Sequence, residues 1–154
     1  MAIKEKNKNN LIITILAYLM IFIIFGNSLL PGEISSNQSG FFSGLIKDIL
    51  AFLGLNIQDD MISFFVRKLA HFTEFFVLGV LWTFVFMRRF ERYVLITILF
   101  GMCIAGIDEF IQFFVPGRAM MFTDFLIDVL GVIIGVLVVQ VMYRYIKHAK
   151  TNVI

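Results

Sequence analysis

Leu11 to Leu30 is a run of twenty residues without a charge, and it constrains the chain more than any other feature. At about 1.5 Å per residue a helix of that length reaches roughly 30 Å, the thickness of the hydrocarbon layer of a membrane. Three further apolar segments follow, at about 65–87, 93–115 and 123–143. The chain is 60% hydrophobic, contains 19 Phe and is only 16% charged. In water so little polar surface would leave large apolar patches exposed, whereas in lipid outward-facing Leu, Ile and Phe are already in a favourable solvent. The fold expected is all-α: a four-transmembrane-helix bundle in one domain spanning 1–154.

Between the first two spans the pattern changes. Residues 31–40 are rich in Ser, Gly and Asn and read as an exposed loop after Pro31-Gly32. From Phe41 to Leu55 apolar side chains recur at helical spacing, with Ser43, Lys47, Asp48 and Ala51 mostly on the other side. That segment is short for a span and carries two charges, so it predicts an extracytoplasmic amphipathic or re-entrant helix that roofs the bundle. Asn56 to Asp60 is a polar break, where Asp59 or Asp60 is placed to cap the second span. Gly131 and Gly135 have the spacing that lets membrane helices approach closely. They suit internal packing, or less well a homodimer face, and Gly101 and Gly106 suit close packing.

Charge placement gives orientation. Lys4, Lys6, Lys8, Arg88, Arg89, Arg92, Arg144, Lys147 and Lys150 fall in three short segments that four spans put on one side. That side is expected to be cytoplasmic, with both termini. Once these residues are assigned to membrane flanks, no basic stripe remains for nucleic acid. The first run is long for a secretory signal core and lacks a convincing cleavage site, so it reads as a retained span. The single cysteine, Cys103, excludes an intramolecular disulfide and reads as a small buried hydrophobe.

The same topology gathers the remaining ionisable residues at one depth on the external side. Arg67, Lys68, His71 and Glu74 lie in the outer half of the second span, and Asp108, Glu109 and Gln112 in that of the third. Arg118 is in the external turn, and Asp124 and Asp128 open the fourth span. Spacings of three or four place Arg67, His71 and Glu74 on one helix face, and likewise pair Asp108 with Gln112 and Asp124 with Asp128. Unpaired charge about 9 Å deep is costly, so these groups should face inward and pair. The expected pairs are Arg67 or Lys68 with Glu74 or Asp108, and Arg118 with Asp124. The surplus of acid leaves room for a proton shared between or kept by carboxylates, or for a bound cation. Simple ion pairing that orients helices is the plain alternative. It weighs most for Lys68, which can reach the interface, and for Glu109, which points elsewhere on its helix.

Arg67-Lys68-Leu69-Ala70-His71-Phe72-Thr73-Glu74-Phe75 resembles the first signature of the VanZ-like family of bacterial membrane proteins. Asp108 to Arg118 (DEFIQFFVPGR) resembles its second. Asp124 and Asp128 followed by Gly131 and Gly135 resemble its closing element, and Asn27-Ser28 also fits the pattern. The resemblance implies a bacterial cell-membrane protein with a link to resistance against the glycopeptide teicoplanin.

Three functions follow as expectations. The first is an enzyme or binding protein acting at the outer leaflet on a phosphorylated or lipid-linked cell-envelope molecule. There Arg67, Lys68, Gln112 and Arg118 would bind substrate, and His71, Glu74, Asp108 and Glu109 would carry proton transfer. Asp108, Asp124 and Asp128 would hold a divalent cation. The second is a non-enzymatic binder that limits drug access to the envelope. The third, a small transporter, fits less well, since no paired repeats are present and the cytoplasmic half offers no polar path.

Overall fold

The computed structural model describes residues 2–53 and 57–151. They form five helices: α1 (Ala2–Ser28), α2 (Gly32–Phe52), α3 (Asp59–Phe86), α4 (Tyr93–Phe113) and α5 (Phe122–Thr151). Four are long and apolar enough to cross a membrane, over Asn10–Ser28, Asp59–Phe86, Tyr93–Phe113 and Phe122–Ala149. No strand occurs among the described residues. Phe22, Leu95, Phe110 and Leu126 point outward, a costly arrangement in water but the expected one for side chains that face lipid.

Helix α3 is the axis of the bundle and packs against the other four. Its inward residues Phe75, Leu78 and Trp82 meet Ile24 of α1, Ile104 of α4 and Val132 and Val136 of α5 in one apolar core. The closest seam is α3 against α5. A Cβ added to Gly131 would stand 2.6 Å from the Phe72 carbonyl oxygen, and one added to Gly135 would stand 2.5 Å from that of Phe76. The Gly131/Gly135 pair therefore serves internal packing. A Cβ added to Gly101 would meet the Val132 side chain, but one added to Gly106 would meet nothing within 4 Å, so Gly106 plays no such part. Cys103 is exposed on the outer face of α4 rather than buried.

The region expected as a loop over 31–40 is helical: α2 begins at Gly32, immediately after Pro31. Local composition is overridden by an anchor. The Gly32 N–H donates to the Pro116 carbonyl at 3.1 Å, and a Cβ added to Gly32 would stand 2.2 Å from the Gly117 carbonyl oxygen, so no side chain fits there without a shift. Gly117 also has φ +75°, a conformation that favours glycine. Pro31 supplies a fixed φ before the first turn, and Glu33 suits the helix N-terminus. The amphipathic helix expected over 41–55 thus starts earlier and ends at Phe52. Its last expected residues, and the start of the polar break at Asn56, lie outside the described residues. Helix α2 turns Phe41, Phe42, Ile49 and Phe52 outward and buries Ser43. It leans on the first turns of α3, where Lys47 pairs with Asp59 at 2.7 Å. Neither Asp59 nor Asp60 caps α3; the cap position is Gln58, with no side-chain bond.

Candidate functional site

The C-terminal ends of α1 and α4 and the N-terminal halves of α3 and α5 bring their polar residues together. Asp108 and Gln112, one turn apart on α4, both face inward, and Gln112 Nε2 donates to Asp108 Oδ2 at 2.8 Å. The Ser28 hydroxyl, at the last residue of α1, donates to the other Asp108 oxygen. One residue earlier, Asn27 Nδ2 donates to Glu74 Oε1 at 2.6 Å. On α5, Asp124 pairs with Lys68 of α3, and both side chains are nearly buried. Asp128, fully buried, has its Oδ1 3.3 Å from His71 Nδ1. The two atoms are not aligned as a hydrogen bond, and neither they nor Asp128 Oδ2 have another partner. Glu109 is also buried, but its Oε2 accepts the Met121 backbone N–H at 2.7 Å. This fixes the start of α5.

Beside this cluster lies a cavity of about 220 Å³. His71, Glu74, Asn27, Ser28, Arg67 and Arg118 contribute to its polar lining, and Phe42, Val66 and Ala70 to its apolar lining. Arg67 and Arg118 also border a second cavity of about 260 Å³ toward Gln112 and Asp124. Arg118 is held by backbone: Nε donates to the Leu30 carbonyl at 3.1 Å and Nη2 to the Asn27 carbonyl at 2.9 Å. Burial pushes the Arg118 guanidinium below its ordinary pKa, and the like charge of Arg67 adds to that, with Asp108, Glu74 and Glu109 opposing. Neither arginine forms an ion pair with a carboxylate among the described residues. Beside the cavity, Ile46, Leu50, Met61, Ile62, Phe65 and Leu69 form a groove of about 150 Å³ between α2 and α3. Val66 borders both spaces.

The expected pairings are corrected by this geometry. Arg118 does not pair with Asp124, and neither Arg67 nor Lys68 pairs with Glu74 or Asp108. Lys68 takes Asp124 instead, because the α3–α5 seam sets the register between those helices. Asp124 is thereby drawn away from Asp108 and Asp128. The carboxylates nearest His71 in a compact group are Asp108 and Asp128, with one ligand-type atom from each of the three lying within 4.8 Å of the others. Glu109 does not line the cavity. Asn27 and Ser28, noted from sequence only as part of the resemblance, prove to be the partners of Glu74 and Asp108. Their clue was position, as polar residues closing an apolar run.

Four described helices of lipid-spanning length, with a polar cluster buried at their shared end, define a multi-pass membrane protein. The VanZ/LLP1 family profile matches residues 12–143, and the chain belongs to that family. None of the curated proteins and none of the solved structures compared matches it.

Proposed function

We propose that the cavity binds the phosphate of a lipid-linked cell-envelope molecule at the outer leaflet of the bacterial membrane, with both termini cytoplasmic. The observation that carries this reading is the pair of arginines, Arg67 and Arg118, that both line the cavity without a carboxylate partner. Two uncompensated guanidiniums at a membrane interface repel each other, and an anion seated between them removes that cost. The aliphatic and aromatic groove that meets the cavity at Val66 suits the adjoining acyl or prenyl chain. Any proton transfer on the bound group falls to His71 and Glu74, the imidazole and carboxyl side chains that line the cavity.

Binding without turnover is the second reading. It is favoured by the engagement of both Asp108 oxygens with Ser28 and Gln112 and of one Glu74 oxygen with Asn27, which holds these carboxylates in place. In that reading the protein alters envelope access for glycopeptides such as teicoplanin. Transport is disfavoured. Toward the other end of the bundle the buried polar side chains among the described residues are Thr83 and Thr97, both bonded to their own helix backbone.

The test is native mass spectrometry of the gently purified chain beside Arg67→Ala. Arg67 makes no hydrogen bond or ion pair that its removal would break, so the variant should fold and lose a co-purifying phosphorylated lipid. Equal lipid occupancy in both proteins, or none in the wild type after reconstitution with total envelope lipid, would refute the reading.

A further inference from the structure

We infer that His71, Asp108 and Asp128 form a binding site for a first-row divalent metal ion beside the cavity. One candidate ligand atom from each residue lies within 4.8 Å of the others. In a formed site with bonds of about 2.0–2.2 Å such atoms stand roughly 3–4 Å apart, so little contraction is needed. The three residues come from α3, α4 and α5, and no shared local motif accounts for their meeting.

A second observation points to a ligand independently of the clustering. Asp128 is fully buried, yet neither carboxylate oxygen has a hydrogen-bond partner, and His71 Nδ1 beside it has none either. Buried carboxylates are ordinarily satisfied, and one met only by the unaligned 3.3 Å approach of His71 is expensive in a membrane interior. A cation bound by Asp128 and His71 supplies both missing partners at once. Asp108 is prepared differently: Ser28 and Gln112 each donate to one of its oxygens, the outer support that orients a metal-binding carboxylate.

Charge leads to the same place. Lys68 is taken by Asp124, and neither arginine pairs with a carboxylate, so no fixed cation among the described residues is bound to Asp108 or Asp128. Imidazole in the ligand set favours ions of the Mn²⁺ to Zn²⁺ series over Mg²⁺ or Ca²⁺. Asp124, bound to Lys68, is not a ligand. The inference rests on reading the cavity as a phosphate site, since the ion would stand beside the bound group, but its test uses metal alone.

The full chain, purified in detergent and stripped with chelator, is loaded with Mn²⁺ and its metal content measured with and without a large molar excess of Mg²⁺. One Mn²⁺ per chain, retained against Mg²⁺, is expected. Asp128→Asn should weaken retention at least about tenfold. The bound Mn²⁺ should also show magnetic coupling to an imidazole nitrogen that disappears in His71→Gln and persists in His148→Gln. Arg67→Ala should keep the metal even if it loses lipid, so the two proposals fail separately. Folded wild type that takes up no stoichiometric Mn²⁺ overturns the inference, whatever the variants do. So does imidazole coupling that survives His71→Gln.

Discussion

Alanine at Gly131 or Gly135 should loosen the α3–α5 seam and, through it, the site. The added Cβ at Gly131 would lie 2.6 Å from the Phe72 oxygen and 3.0 Å from the Phe76 nitrogen. At Gly135 it would lie 2.5 Å from the Phe76 oxygen and 3.0 Å from the Val80 nitrogen. Ordinary contact begins at 3.4 Å, so the helices must part by about 0.8 to 0.9 Å locally. The obstructing atoms are backbone and cannot rotate aside. Overpacking of this kind costs about 1–3 kcal/mol per site. The two sites share one displacement, so the double variant should lose less than the sum. At about 2–4 °C per kcal/mol, each single change lowers the melting temperature in detergent by several degrees. Gly106→Ala, with nothing within 4 Å, is the control and should melt with the wild type. Gly131 lies one turn after Asp128, and Phe72 follows His71. Gly131→Ala should therefore also widen the 3.3 Å approach of His71 to Asp128 and weaken ligand binding more than Gly135→Ala does. Melting of both variants at the wild-type temperature would refute the close-approach argument.

Two further outcomes are expected. Lys68→Met strands Asp124 in a nearly buried position and should destabilise by about 3–5 kcal/mol, while Lys68→Met with Asp124→Leu should recover most of that; a double variant no more stable than the single would show that the pair is not what links α3 to α5. A reporter active only outside the cytoplasm should be silent when fused after Lys150 and active when inserted near Glu33; activity after Lys150 would overturn the orientation drawn from the basic flanks.

The four spans were legible because membrane helices announce themselves by uninterrupted apolar length, a signal that needs no partner. The start of α2 was not, because Gly32 to Gly40 has loop composition and becomes helical beside a tertiary anchor, the Gly32–Pro116–Gly117 contact. The membership of the polar cluster was legible for a topological reason: helical hairpins return charged ends to the same depth. Its pairing was not, since pairing depends on how far each helix is rotated and shifted against its neighbours. Asp124 and Asp128 illustrate the limit. Four residues apart on one face, they look equivalent in sequence, yet one meets a lysine and the other a histidine. Arg118 illustrates another, because its partners are backbone carbonyls of Asn27 and Leu30, which sequence cannot single out.

Opposite charges stand close together in the site without pairing. Arg67 and Arg118 line the cavity, and Asp108 and Asp128 cluster with His71, which lines it too. Such charges would collapse into direct ion pairs if the side chains could reach one another. They are kept apart, because Arg118 is tethered to the end of α1 and Asp108 is held by Ser28 and Gln112. Separation of this kind costs free energy in a medium of low dielectric. An anion beside the arginines and a cation beside the carboxylates would recover that energy together, each lowering the cost of binding the other. The phosphate and metal proposals therefore predict linkage: Mn²⁺ should tighten binding of a phosphorylated lipid, and the lipid should tighten Mn²⁺ by the same factor. Independent binding of the two would mean that they occupy separate spaces, and the shared cavity would have to be abandoned.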